Sequence, residues 1–295
     1  MSLWNNRKFT PMLLKEVEKP FNSENHIYEI KFDGIRALIY ANPKEVKVIS
    51  RRHQDLTHLY PELQKIKNIV KKNTIFDGEI VAFNEGKPSF QKLQLRSHLK
   101  SKEKIEFQAK KSPIIFMAFD ILYENKELIN LSLMDRKKIL KKYKNNSVFS
   151  KTFYIENNGI ELFNEIKKND LEGVIAKKKN SIYLINKRSE NWIKIKNLKT
   201  EKFIVGGFIE KSESNTISLI LGEIINKKLY YVGNVVLGKR REFYKKIKNT
   251  LLIQNPPFID LDDKKVTYIK PINICYVKYL ERTKSNHLRQ PVFVK

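Results

Sequence analysis

Apolar residues alternate with polar ones, or follow one another without a break, in several stretches of about the first 200 residues. Alternation is typical of half-buried β-strands, and unbroken apolar runs are typical of fully buried ones. The two patterns predict strands at about 27–40, 45–51, 74–83, 114–123, 171–178 and 187–196. In the last strand Trp192, Lys194 and Lys196 are two residues apart, so we expect their side chains on one face.

Apolar residues three to four positions apart predict amphipathic helices between these strands. The helices are expected at about 59–72, 90–99, 132–144 and 160–168. Ser132 followed by Asp135 is typical of an N-terminal helix cap. Residues 1–26, which are interrupted by Pro11 and Pro20, are expected to be irregular.

The pattern changes after about Leu198. It predicts four short strands and one helix, the strands at 203–209, 217–225, 229–236 and 272–279 and the helix at 241–253. Short strands with paired glycines favour a small β-barrel of the OB type, a fold that commonly binds nucleic acid. We therefore predict two domains, 1–197 and 198–295, and the alternative is one continuous sheet domain.

Charge narrows the choice of partner. The 295 residues include 58 Lys and Arg against 32 Asp and Glu, a formal net charge of +26, while 41% apolar residues are typical of a globular protein. A polyanionic partner is the simplest reason for this imbalance, nucleic acid first and an anionic membrane surface second. A generally basic surface is the alternative.

Cysteine and histidine usage argues against several kinds of site. Cys275 is the only cysteine, so it forms no internal disulfide, and its apolar strand suggests packing rather than catalysis. The five histidines are scattered without cysteine partners, which argues against a zinc site. Because no apolar run approaches about 20 residues and the N-terminus is not of the secretory type, we expect a cytoplasmic protein without a membrane span.

One stretch carries candidate chemistry. Residues 29–36 (Glu-Ile-Lys-Phe-Asp-Gly-Ile-Arg) predict a strand, a tight turn at Asp33-Gly34 and a second strand, with a positive φ at Gly34. The turn leaves Lys31 and Arg36 close together, and a lysine held among other cations has a lowered pKa and an available lone pair. Taken alone, the stretch fits either a nucleophile or an ordinary surface hairpin.

Two acidic residues accompany predicted strands. Glu79 is flanked by apolar residues within one strand, and Glu172 stands at the mouth of another. Each fits either a satisfied edge charge or a carboxylate directed into a site.

Taken in chain order, six segments resemble the motif set of the covalent nucleotidyltransferases, which include ATP-dependent DNA ligases, RNA ligases and mRNA capping enzymes. The segments are Lys31-x-Asp33-Gly34-x-Arg36, Ser50-Arg51-Arg52, Asp77-Gly78-Glu79, Phe119-Asp120, 172–177 (Glu-Gly-Val-Ile-Ala-Lys) and Trp192-x-Lys194-x-Lys196. The resemblance covers nearly the whole chain. It implies an α+β fold, in which an ATP-grasp-like nucleotidyltransferase domain of antiparallel sheets with flanking helices precedes an OB-fold β-barrel.

The finer resemblance is to the ligase portion of bacterial ligase D, the DNA ligase of non-homologous end joining. It rests on segments 10–13, 50–56, 87–91, 205–208 and 288–293. The polymerase and nuclease domains usually fused to that ligase are absent, so the resemblance implies a stand-alone and monomeric enzyme. Its partner is expected to be nicked or broken duplex DNA, and any Ku, polymerase or nuclease is expected to come from other chains.

The resemblance implies a three-step reaction with ATP and Mg²⁺ or Mn²⁺. A lysine attacks the α-phosphate of ATP, the AMP passes to the 5′-phosphate at a nick, and the 3′-hydroxyl then displaces the AMP. The catalytic residues are expected to be Lys31 (the nucleophile), Asp33, Arg36, Lys194 and Lys196. The nucleotide is expected to contact Glu29, Ile30, Arg51, Glu79, Phe119 (stacked on adenine), Lys177 and Arg289, and the metal to bind Glu79 and Glu172.

The C-terminal part departs from the subfamily in places. Asn234, within 231–239, stands where ligase D proteins usually have an arginine, and the C-terminal motif lacks the R-x-D-K form of many other ligases. By resemblance Arg289 swings in with the barrel to orient pyrophosphate, which requires the domains to close and reopen.

An RNA ligase or capping enzyme, and a basic DNA-binding module without activity, are the alternatives.

Overall fold

The computed structural model describes residues 2–211, 216–238 and 240–295. The chain divides into two compact units, 1–197 and 198–295. Within the described residues, no helix combines the length and the apolar character that crossing a membrane requires.

The first unit is built on two five-stranded sheets. Its strands are β1 (Leu13–Val17), β2 (Ser23–Ile30), β3 (Ile35–Ala41), β4 (Val46–Ser50), β5 (Thr74–Val81), β6 (Phe83–Asn84), β7 (Lys87–Pro88), β8 (Ile115–Glu124), β9 (Phe149–Lys151), β10 (Tyr154–Asn157), β11 (Gly173–Lys178) and β12 (Arg188–Lys196). Sheet 1 has the order β1-β12-β11-β2-β10, sheet 2 has the order β4-β3-β5-β8-β9, and β6 pairs with β7. The sheets are antiparallel except for the parallel pairs β1–β12 and β8–β9.

The predicted turn at Asp33-Gly34 is wrong, although the strands on either side of it form. β2 belongs to sheet 1 and β3 to sheet 2, so residues 31–34 carry the chain from one sheet to the other. Gly34 does not take a positive φ. A Cβ at this position would lie 2.2 Å from the carbonyl oxygen of Ile80, so glycine is needed because the chain passes directly against β5.

The N-terminal region is more regular than predicted. Residues 13–17 form β1, which pairs in parallel with β12, and β2 already begins at Ser23. Short edge strands of this kind depend on a partner that is distant in sequence, which local hydrophobic patterning does not reveal.

Helices cover the outer faces of both sheets. They are α1 (Phe90–Ser97), α2 (Lys102–Lys111), α3 (Leu133–Lys141) and α4 (Gly159–Lys168). The segment predicted as a helix at 59–72 forms 3₁₀ helices at Thr57–Leu59 and Pro61–Ile69, and its apolar residues recur every three positions, as the 3₁₀ period favours. The predicted cap is confirmed, since the Asp135 backbone N–H donates to Ser132 Oγ at 3.2 Å.

Alternating positions of each sheet separate two cores. Ile27 and Trp192 of sheet 1 pack with Leu38 and Phe119 of sheet 2 in a shared cluster. We call the faces that meet there the inward faces. The outer face of sheet 1 packs on α4, and the outer face of sheet 2 packs on the 3₁₀ helix, α1 and α2. Helix α3 contacts both cores, because Leu140 belongs to the outer cluster of sheet 2 and Leu133 to the shared cluster.

The second unit is one curled sheet with a helix. Its elements are β13 (Lys199–Lys211), β14 (Thr216–Ile225), β15 (Lys228–Val236), α5 (Arg241–Lys248), β16 (Thr267–Tyr279) and β17 (Val292–Phe293), and the strand order is β15-β14-β13-β16-β17. The helix ends five residues earlier than the predicted 253, because Leu252 instead forms a β-bridge with Ile269. Cys275 is buried as predicted, and burial raises the pKa of its thiol to about 12.

Candidate active site

The residue predicted as nucleophile, Lys31, lies where the chain leaves sheet 1. Its backbone N–H donates to the Gly173 carbonyl at 2.9 Å, and its Nζ lies 2.6 Å from Oε1 of Glu172. Gly173 also pairs with Lys196 in the register of β11 and β12. A Cβ on Gly173 would lie 2.2 Å from the Ile195 carbonyl oxygen, so this position requires glycine, and β11 itself places no side chain between Lys31 and Lys196 here.

Lys194 and Lys196 project from the inward face of β12, as the alternation predicted. Both amines meet one carboxylate oxygen: Glu16 Oε2 lies 2.8 Å from Lys194 Nζ and 3.4 Å from Lys196 Nζ. Burial acts to raise the pKa of Glu16, but the two lysines outweigh it and hold that pKa below its usual range. We call Lys31, Glu172, Glu16, Lys194 and Lys196 the open cluster, since all three lysine side chains keep some exposure.

A second set of charges is almost completely buried on the same face. Glu29 accepts a hydrogen bond from Lys177 at 2.8 Å, one from Thr152 Oγ1 at 3.1 Å, and one from Lys137 of α3. Burial acts to raise the pKa of Glu29, but the two lysines hold it below its usual range. Burial lowers the pKa of Lys177 to about 8, helped by the Lys137 charge and opposed by Glu29. We call Glu29, Lys137 and Lys177 the buried cluster.

Sheet 2 contributes an arginine that is already paired. Arg36 donates to the fully buried Asp77 through Nε at 3.0 Å and through Nη2 at 2.7 Å. Tyr183 donates to the same carboxylate at 2.6 Å. Burial and Asp77 together raise the pKa of Tyr183 well above its usual value. Arg36 Nη2 also donates to the Tyr183 hydroxyl at 3.3 Å, so three of the guanidinium N–H donors are used inside the protein.

Phe119 lies on the inward face of sheet 2, against charged and aromatic neighbours. Its ring is 5.9 Å from that of Trp192 in an edge-on arrangement, and Lys177 Nζ lies 4.3 Å from its ring centre. The Arg36 guanidinium lies 5.3 Å from the same ring. These contacts orient an aromatic ring between the buried cluster and Arg36.

One of the two predicted metal ligands, Glu79, is a carboxyl group with a raised pKa. Burial raises the pKa of Glu79 to about 8, and the charges of Glu172 and Asp77 add to this against those of Lys31 and Arg36. Within the described part of the chain, no three His, Cys, Asp or Glu side chains form a group able to hold a metal. Two carboxylates still fit Mg²⁺, which usually binds one or two carboxylates together with substrate phosphates and water.

Other predicted site residues lie apart or face elsewhere. The Ile30 side chain packs in the α4 cluster, on the outer face of sheet 1. Arg51 is exposed beyond β4, and its backbone N–H donates to the Arg36 carbonyl at 3.2 Å. Asp33 lies in the 31–34 crossing between the two sheets. Arg289 belongs to the second unit and lies 3.0 Å from Glu281.

The barrel segment that departs from the subfamily is only partly described. Asn234 is exposed and accepts a hydrogen bond from the Tyr231 hydroxyl at 2.8 Å. Lys239, the last residue of that segment, lies outside the described residues.

Four residues of this region were not predicted as site residues, although Asp77 belongs to one of the segments that carry the resemblance. Asp77 could have been found, because it is two positions from Glu79 on one strand and therefore shares its face. Lys137 and Tyr183 had no such signal, since a helix and a loop bring them in from distant parts of the chain. Glu16 lies on the edge strand that was predicted to be irregular.

Family models match both units of the chain. The ATP dependent DNA ligase domain matches residues 11–196, and the ATP dependent DNA ligase C terminal region matches residues 212–295.

Individual relatives agree with these models. The SPbeta prophage-derived DNA ligase-like protein LigB of Bacillus subtilis is 31% identical over 96% of this chain and 97% of its own length. The multifunctional non-homologous end joining protein LigD of Mycolicibacterium smegmatis is also 31% identical over 96% of this chain, which spans only 37% of that protein. A solved structure of a mycobacterial DNA ligase D complexed with ATP has 27% identity and a TM-score of 0.62, covering 99% of this chain and 95% of that one. The predicted fold class and activity are confirmed, and the chain belongs to the family of ATP-dependent DNA ligases.

Proposed function

We propose that this ATP-dependent DNA ligase forms its covalent intermediate on Lys31. The observation that carries the proposal is the position of its amine, beside Glu172 and across the side-chain-free Gly173 from Lys196. The neutral amine attacks the α-phosphorus of ATP, an N–P bond forms, and the P–O bond to pyrophosphate breaks. The ion pair with Glu172 has to open before this attack, because a protonated amine has no free lone pair.

Lys194 and Lys196 neutralise the α-phosphate in this proposal. Phosphoryl transfer needs little covalent help from the protein, and positioning with charge neutralisation provides most of the rate. Phe119 stacks on the adenine. Glu29 and Lys177 lie beside the adenine on the same face of the sheet. Arg36 holds the Phe119 ring through its pairing with Asp77, and Asp33 and Arg51 flank the phosphate end.

The metal belongs to the proposal as well. Glu79 and Glu172 are the oxygen ligands that would hold Mg²⁺ or Mn²⁺, and the raised pKa of Glu79 suits a carboxylate that gains its charge when a cation arrives. A bound ion supplies neutralisation of the phosphate charges. Arg289 then closes over pyrophosphate as a further part of the proposal.

The substrate we propose is duplex DNA with a nick or a rejoined break. The net charge of +26 favours a polyanion, and the M. smegmatis relative is named for non-homologous end joining. This chain spans 37% of that relative. From the end-joining name of the relative we propose that the ligase acts together with Ku and with polymerase and nuclease functions, and that the reaction takes place in the cytoplasm.

The test is a labelling experiment. The protein is incubated with metal and α-phosphate-labelled ATP, GTP or adenylate-labelled NAD, and is then chased with a nicked duplex. We expect a covalent band from ATP alone, discharged by nicked DNA and absent in Lys31→Ala, which should still seal a pre-adenylated nick. Lys15→Ala, which removes another lysine paired with a carboxylate, should label normally.

Two results would contradict the proposal. A band that persists in Lys31→Ala would place the intermediate on another residue. A wild-type protein without any band, after pyrophosphate treatment to remove AMP already bound, would leave only a DNA-binding module.

A further inference from the structure

Glu16 is the charged residue of the open cluster for which the proposed reaction has no use. We infer that Glu16 competes with ATP for the two lysines: in the nucleotide-free enzyme its carboxylate oxygen occupies the place between Lys194 and Lys196 that a phosphate oxygen of ATP takes over. The inference rests on the proposed function, since it takes both lysines as phosphate ligands.

The backbone fixes Glu16 in this place. In the parallel pairing of β1 with β12, Glu16 stands directly opposite Lys194, and Val17 stands opposite Ile195. The register shifts between Leu14 and Lys15, just before this pair. Strand pairing therefore presents the Glu16 side chain beside Lys194 without any help from a flexible loop.

The geometry matches that of an anion bound between two amines. A single oxygen, Oε2 of Glu16, lies 2.8 Å from one amine and 3.4 Å from the other. The shorter distance is that of a charge-assisted hydrogen bond, which a phosphate oxygen also accepts from lysine, and the longer distance is that of an ion pair. Without an anion between them, the two like charges of Lys194 and Lys196 would repel each other.

The pairing is also weak enough to be exchanged. The Glu16 side chain is 42% exposed, and those of Lys194 and Lys196 are 23% and 16% exposed. Water screens such pairs, so their net contribution is small compared with that of a buried pair. A triphosphate, which carries several negative charges, can therefore displace a single carboxylate from the two lysines.

Displacement of this kind predicts a specific kinetic signature. Glu16 competes with ATP for the same two amines in the free enzyme but has left them when the α-phosphate reacts. Its removal should therefore strengthen ATP binding and leave the chemical step unchanged, because an interaction confined to the free enzyme affects KM rather than kcat.

The experiment compares Glu16→Gln with the wild type in initial rates at varied ATP concentration, with nicked duplex present in excess to discharge the adenylated enzyme and allow turnover. We expect KM for ATP to fall about threefold, with kcat within about twofold of the wild type. Glu190→Gln is the matched control, because Glu190 pairs with Lys15 on the same strands outside the site, and its KM should be unchanged.

Binding of inorganic tripolyphosphate, measured by calorimetry after pyrophosphate treatment, provides a second readout that needs no chemistry. Its Kd should fall in Glu16→Gln by a factor similar to that of KM. An unchanged or raised KM, or an unchanged tripolyphosphate Kd, overturns the inference. A wild type that forms no adduct overturns the proposed function instead, so the two failures are distinguishable.

Discussion

The open and buried clusters place similar lysine–carboxylate pairs in different surroundings on one face of sheet 1. In the buried cluster the side chains of Lys177, Glu29 and Lys137 are 0%, 2% and 6% exposed, whereas those of Lys194 and Lys196 are 23% and 16% exposed. Removal of water strengthens attraction but makes an unpaired charge costly. Buried pairs are therefore fixed parts of the scaffold, and open pairs can exchange one anion for another.

Lys194→Ala, a variant of the open cluster, should have the largest effect of the substitutions that compare the two clusters. We expect adenylation to slow by about 10³-fold, because one of two cations that neutralise the α-phosphate is lost. The free energy of unfolding should change by less than about 1 kcal/mol, since the lost pair is partly exposed. Single-turnover labelling and urea unfolding measure the two effects.

Lys179→Ala is the control for this variant. Lys179 pairs with Glu156, and the exposures of that pair, 21% and 48%, are close to the 23% and 42% of Lys194 and Glu16. If both variants label at a near-normal rate, Lys194 does not belong to the proposed phosphate site.

Lys137→Met tests the buried cluster. The variant leaves Glu29 with one ammonium partner fewer in a water-free setting, and we expect the free energy of unfolding to fall by about 3 kcal/mol. Lys138→Met is the neighbouring control, because Lys138 is 75% exposed and its pair with Asp135 contributes little. Equal urea midpoints for the two variants would mean that Lys177 and Thr152 satisfy Glu29 without Lys137.

The open cluster was largely predictable from sequence. The buried one was predictable only in part, since Glu29 and Lys177 were expected at the nucleotide site and Lys137 was not. Lys194 and Lys196 alternate with buried apolar residues, so the period of the strand predicted their common face. Lys137 contacts Glu29 although 108 residues separate them in sequence. It lies on α3, and the sequence pattern of that helix gave no sign of a residue that reaches sheet 1. Local periodicity predicts which face a side chain takes, but not which distant element it meets.

The same limit applies to the fold. Strands with long alternating or apolar runs, such as β5 and β8, appear close to where they were predicted. The two-residue strand β17 and the edge strand β1 exist through pairing with distant partners and were missed. Gly34 was predicted to serve a turn, whereas it serves a close approach to Ile80, a contact that only the tertiary structure creates.

The smallest expected effect is a change in the free energy of unfolding with pH. It tests the buried cluster by unfolding, without an activity assay. Burial lowers the pKa of Lys177 from 10.5 to about 8 in the folded protein. Between these values the unfolded chain holds a proton that the folded chain has released, so stability rises with pH. Below about pH 8 both states are protonated, and the burial of this charge costs stability in full. We expect the free energy of unfolding of the wild type, relative to Lys177→Met, to increase by about 2.5 kcal/mol from pH 8 to 10.5. Urea unfolding at several pH values measures this difference, and the two proteins share every other titrating group. Parallel plots of unfolding free energy against pH would show that water reaches Lys177. The buried cluster would then be as exchangeable as the open one.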